Sequence, residues 1–69
     1  MKAGARNKAT GKVVEIIKGT LMCEVKIKVT DDILVTSVMT LESLGELGIN
    51  EGDTITAYWK AVNVLLVKD

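Results

Sequence analysis

Between residues 21 and 30 (LMCEVKIKVT) the chain alternates strictly, with Leu21, Cys23, Val25, Ile27 and Val29 interleaved with Met22, Glu24, Lys26, Lys28 and Thr30. Successive side chains of an extended chain point to opposite faces, so a period of two predicts a strand with one buried face. Residues 12–18 (KVVEIIK) are rich in β-branched side chains and lie between Gly11 and Gly19, which predicts an earlier strand bounded by turns. Asp31-Asp32 supplies the next turn, and residues 33–39 (ILVTSVM) form a third strand that is apolar on both faces. The period then changes. Leu41, Leu44 and Leu47 recur at helical spacing, Thr40 is suited to the N-cap and Gly48 to the C-terminal stop, so a short helix follows. After a turn at 50–53 (NEGD), residues 54–60 (TITAYWK) predict a fourth strand, and 64–67 a short fifth one reached through Ala61-Val62-Asn63.

Three strands, a helix and two strands predict an all-β fold, a five-stranded OB-like Greek-key barrel with the helix between strands 3 and 4. Residues 1–69 are read as one domain of this type. A closed barrel needs one apolar face per strand, yet the first and third strands carry two. The second face calls for a partner.

Composition points the same way. A chain of 69 residues buries a modest fraction of its surface. Its single cysteine cannot form an internal disulfide, and without histidine a zinc or transition-metal site has almost no ligands to draw on. Oligomerisation is the remaining source of stability, and a homo-oligomer is expected. Lys plus Arg equals Asp plus Glu at 9 each, so there is no net field to attract nucleic acid or a membrane surface, and any anion must be recognised locally. No apolar run approaches the roughly 18–20 residues that span a bilayer, and the first residues lack a signal-peptide core, which predicts a cytoplasmic location.

Three places carry candidate chemistry. The segment Gly4-Ala5-Arg6-Asn7 contributes little to a core. It is either a solvated terminus or a stretch whose small side chains let backbone N–H groups approach an anion that Arg6 helps to hold. Thr40 and Ser43 lie one helical turn apart, where they either complete a capping arrangement or face an anion at the helix start. Lys60 closes the fourth strand and by position alone reads as a solvated edge, the alternative being a charged donor with the Ala61 N–H beside it. Tyr58 and Trp59, adjacent on a strand, point to opposite faces and make a poor stacking platform for nucleic acid. Cys23 is in phase with Val25 and Ile27 and reads as a small buried hydrophobe, and Met22 and Met39 read as packing residues. No histidine or carboxylate pair accompanies Ser37 or Ser43, so nothing resembles a catalytic constellation and no enzyme is expected.

Four stretches stand in a telling order: Ala5-Arg6-Asn7, Lys18-Gly19-Thr20, residues 35–48 (VTSVMTLESLGELG), and Lys60-Ala61-Val62-Asn63-Val64. Together they resemble the molbindins, small stand-alone molybdate-binding proteins built from one Mop or TOBE-type domain. The resemblance covers essentially the whole chain. It implies an OB-like domain that exchanges strand contacts in a dimer and assembles as a hexamer, a trimer of dimers. It also implies molybdate or tungstate held at subunit interfaces and no organic cofactor. The residues so implicated are Gly4, Ala5, Arg6, Thr40, Ser43, Lys60 and Ala61, acting on an oxyanion rather than on a coordinated metal cation. Gly4 stands where the family usually has serine, and Ala61 where it often does, so two hydroxyls are replaced here. The function implied is reversible molybdate storage. The alternatives are an OB-fold nucleic-acid module, or an assembly module whose anion site has decayed.

Overall fold

The computed structural model describes residues 6–68. Among these, β1 (Asn7–Lys18), β2 (Met22–Thr30), β3 (Ile33–Thr40) and β4 (Thr54–Trp59) form one antiparallel sheet in the order β3-β2-β1-β4, with α1 (Leu41–Leu47) between β3 and β4. β1 is shared. Its first half pairs with β4, from Asn7 opposite Trp59 to Lys12 opposite Thr54, and its second half pairs with β2, from Lys12 opposite Lys28 to Lys18 opposite Cys23.

The change of partner is made by a bend. The register between β1 and β2 shifts between Val13 and Glu15, which leaves Val14 as the extra residue of a bulge. Val13 at this corner donates its N–H to the Asp53 carbonyl and accepts from the Gly52 N–H, both at 2.8 Å, so the turn before β4 is fastened to β1. Gly52 holds a positive φ of 94° to present that N–H. Two residues before Val13, β1 and β2 lie so close that a β-carbon at Gly11 would meet the Lys28 carbonyl and stand 2.8 Å from Ile27 Cγ2. Only glycine fits this approach.

The inward positions from Cys23 to Val29 are those the alternation predicts, whereas Leu21, in the same phase but ahead of the start of β2, is 76% exposed. Val13, Cys23, Val25, Ile27 and Leu44 form the buried core, with Ile16, Val29, Met39 and Ile55 packed around it. The helix closes one end by laying Leu44 over this core. Its start is tied to the first hairpin by the Leu41 N–H donating to the Leu21 carbonyl at 3.0 Å. Gly48 ends it in the left-handed conformation, φ 66°, with its N–H on the carbonyls of Leu44 and Gly45.

Three expectations are corrected. The fifth strand does not form: a 3-10 turn at Ala61–Asn63 interrupts the extended backbone, residues 64–67 pair with no described strand, and Leu65 and Leu66 are 85% and 88% exposed. Their apolar pattern signals burial, but no edge of this sheet supplies it. Met22 falls on the outer face and is largely exposed, leaving only Met39 as a packing residue. Leu47, the third leucine of the helical stripe, is also exposed, because the seven-residue helix makes one turn over the core and Leu44 occupies it. Without a fifth strand, the space between β3 and β4 remains an open trough of about 570 Å³.

A methyl group forced into the Gly11 approach should cost about 1–3 kcal/mol, the range for overpacking a tight site. Gly45 in the helix has nothing within 4 Å of a built β-carbon, so Gly45→Ala should instead stabilise by about 0.5–1 kcal/mol. Urea unfolding of Gly11→Ala and Gly45→Ala is expected to show midpoints displaced in opposite directions.

Candidate functional site

The sequence-predicted site residues fall into two groups set apart by the sheet. In the first, Arg6 and Lys60 are the residues immediately beyond Asn7 and Trp59, the last pair of the β1–β4 ladder. Both are exposed, and neither forms an ion pair with a described carboxylate; the ion pairs present join Lys26 to Glu15 and Lys28 to Asp31. Ala61 is exposed at the start of the 3-10 turn, whose Asn63 N–H donates back to the Lys60 carbonyl at 2.9 Å. Gly4 and Ala5 lie outside the described residues. Two cations at a strand end, with an adjacent turn, make a locally electropositive corner on a chain with no net charge.

The second group sits at the other end of the molecule. Thr40 ends β3 opposite Met22 and begins α1, while β4 starts on the helix side at Thr54 and runs away from it to Trp59. Thr40 accepts the Ser43 N–H at 3.0 Å and donates its own hydroxyl proton to Ser43 Oγ at 2.9 Å. This is an N-cap, and it commits the Thr40 hydroxyl and the Ser43 N–H to each other. The Ser43 hydroxyl proton remains available to an acceptor. On ladder position, Thr40 is level with the Lys18 end of β1, and Lys60 with the Asn7 end. The two groups therefore stand at opposite ends of the β1 ladder, a strand that bends at Gly11. Among the described residues no hydrogen bond or ion pair joins the two groups.

Polar residues not proposed for the site from sequence also line the trough, Ser37 and Asn63 among them. Ser37 is half-buried in phase with Val35 and Met39, and Asn63 follows Lys60 by three positions; both face the cavity with Trp59. The in-phase position of Ser37 was a readable signal. The placement of Asn63 was not, because it depends on the 3-10 turn replacing a strand. Cys23 is buried as expected, and Tyr58 is exposed while Trp59 is half-buried.

Residues 4–66 match the family model described as the TOBE domain. The chain belongs to the TOBE domain family. Among curated relatives of this TOBE domain, "Molybdenum-pterin-binding protein 1" of Clostridium pasteurianum is 37% identical over 67 residues, covering 97% of this chain and 98% of that protein. A structure of a molybdate-binding protein from Sporomusa ovata superimposes with a TM-score of 0.89 at 32% identity, covering 99% of this chain and 100% of the other. MopII from Clostridium pasteurianum, solved in an apo form, gives 0.87 at 36% identity, covering 97% and 100%. These likenesses establish the OB-like fold for the TOBE domain, with four strands paired within the chain. The relatives' names describe binding proteins.

Removing the Thr40 hydroxyl tests the cap directly. Thr40→Ala should cost about 1 kcal/mol of folding stability in the absence of any ligand. Thermal melts in anion-free buffer are the measurement.

Proposed function

We propose that this protein binds molybdate, and tungstate by the same chemistry, reversibly and as a cytoplasmic store. The observation that carries the reading is the pair Arg6 and Lys60 flanking the last β1–β4 pair, exposed and joined to no described carboxylate. A tetrahedral oxodianion presents four acceptor oxygens and no proton, so its site requires donors and positive charge and excludes carboxylates. The sequence adds Gly4 and Ala5, whose backbone N–H groups can approach closely, and the Ala61 N–H. With glycine and alanine at positions 4 and 61, this site works through main-chain donors at those two positions.

Thr40 and Ser43 join the same anion only from a second copy. The two groups lie at opposite ends of one chain, and a shared interface is the simplest way to bring Lys60 of one protomer to Thr40 and Ser43 of another. Apolar surface supports such assembly: the tail Val64, Leu65, Leu66 and Val67 is exposed, as are Ile17, Met22 and Val38 on the outer sheet face. The open trough between β3 and β4 offers a place for a strand from a partner. A hexamer, three such dimers around one axis, is the assembly proposed. Each chain acts as one domain over residues 1–69 and performs no chemistry on the anion. Cellular location is read with the same proposal: no helix among the described residues is long and apolar enough to cross a membrane.

Calorimetry with molybdate and sulfate, on the wild type and Lys60→Met, is the deciding experiment. The substitution keeps the aliphatic stem and removes the charged donor, so molybdate affinity should fall about ten- to hundred-fold, or roughly 1.5–3 kcal/mol, with little change in ligand-free stability. An affinity within about two-fold of wild type would reduce Lys60 to a solvated strand end. Trp59, the neighbour of Lys60 and the only tryptophan, reports the same event by fluorescence. Light scattering at micromolar concentration is expected to give a single hexameric species, and removing residues 64–69 to dissociate it.

A further inference from the structure

The outer face of the sheet is divided. Towards the first hairpin it exposes Ile17, Met22 and Val38, with Glu24 on the ladder between Ile17 and Val38. Across the middle, Lys26 and Glu15 pair at 4.0 Å. Beyond them the face turns cationic: Lys12 on β1 lies directly opposite Lys28 on β2, and Lys8 stands four residues back along the same side of β1. All three are exposed, and among the described residues the one carboxylate that reaches them is Asp31, 3.6 Å from Lys28 and itself almost wholly solvated. On the β4 side the lysines are flanked by hydroxyls, Thr54 opposite Lys12, Thr56 opposite Thr10 and Tyr58 opposite Lys8, with the two threonine oxygens hydrogen-bonded at 2.8 Å.

Like charges directly opposite on a sheet are destabilising, and an exposed pair such as Lys28 with Asp31 recovers little. The arrangement becomes favourable when an anion lies along it. We infer that this cationic half-face, centred on Lys8, Lys12 and Lys28, docks an acidic, extended segment of another protein. A strand places same-face residues about 7 Å apart, so Lys8 and Lys12 stand roughly 13 Å apart along β1, with Lys28 beside Lys12. An extended glutamate-rich segment repeats its carboxylates at the same interval. The threonine and tyrosine hydroxyls can donate to carboxylates or to the segment's own carbonyls. Single-stranded nucleic acid fits less well, because stacking needs several exposed aromatics and this face has Tyr58 alone. The surface adjoins Arg6 and Lys60, which lie two residues beyond Lys8 and Tyr58, and its centre at Lys12 and Lys28 lies further along β1.

Fluorescence anisotropy with labelled decaglutamate at low ionic strength tests the inference, with labelled oligo(dT) of equal length as the competing occupant. The combined variant Lys8→Gln, Lys12→Gln, Lys28→Gln is expected to bind decaglutamate at least ten-fold more weakly, Lys68→Gln to bind as wild type, and oligo(dT) to bind more weakly than decaglutamate throughout. The combined variant should keep its affinity for molybdate and melt no lower than wild type, since it removes a repulsion. Equal decaglutamate affinity in the combined variant and the wild type, or tighter binding of oligo(dT), would overturn the assignment.

Discussion

The fold depends on one strand being hydrogen-bonded along both edges in succession. β1 gives its first half to β4 and its second half to β2, and the handover occurs within the three residues from Gly11 to Val13. Had β1 run straight, its two partners would extend a flat sheet. The close approach at Gly11 and the bulge that follows turn the strand instead, so that Ile27 on β2 and Ile55 on β4 face the same interior. The cross-links from Val13 to Gly52 and Asp53 hold that corner from the far side. Core, helix seat and strand-end cations all take their positions from this bend.

How far the sequence disclosed this varies with the distance over which each signal acts. Alternation in β2 is a local signal read by one buried face, and Cys23, Val25 and Ile27 are buried as their phase requires. The cap and stop at Thr40 and Gly48 are likewise local, and the helix lies between them. Gly11 was legible only as a strand boundary, although the strand continues through it to Asn7, because the need for glycine arises from Lys28 and Ile27 across the ladder. Apolar residues at 64–67 announced burial without saying against what, and a pattern that expects a partner within the chain assigns a strand that one chain does not form. The candidate site was read from residue types alone. That Lys60 and Thr40 lie at opposite ends was not legible, because spacing in sequence carries no record of which end of a ladder a residue reaches.

An incomplete barrel and an unfinished site are connected. The trough between β3 and β4 is what the absent fifth strand leaves, and the segment that would have filled it begins immediately after Lys60. The 3-10 turn at Ala61–Asn63 therefore does two things. It directs the apolar tail away from its own sheet, and it fixes the backbone next to the cation that closes β4. Any partner surface that receives the tail is brought to the same corner as Arg6 and Lys60.

Charge makes that corner sensitive to what occupies it. Two cations placed at the end of one ladder repel, weakly in open water and more strongly once a partner excludes water from between them. Covering the corner with apolar surface alone would bury positive charge without compensation, which is costly. A dianion reverses the sign, and its interactions gain strength from the same exclusion of water that makes the empty corner unfavourable. In the assembly proposed above, association and anion recognition would draw on one arrangement: the apolar tail would supply the tendency to close the interface, and the anion would remove the electrostatic obstacle to closing it over Arg6 and Lys60.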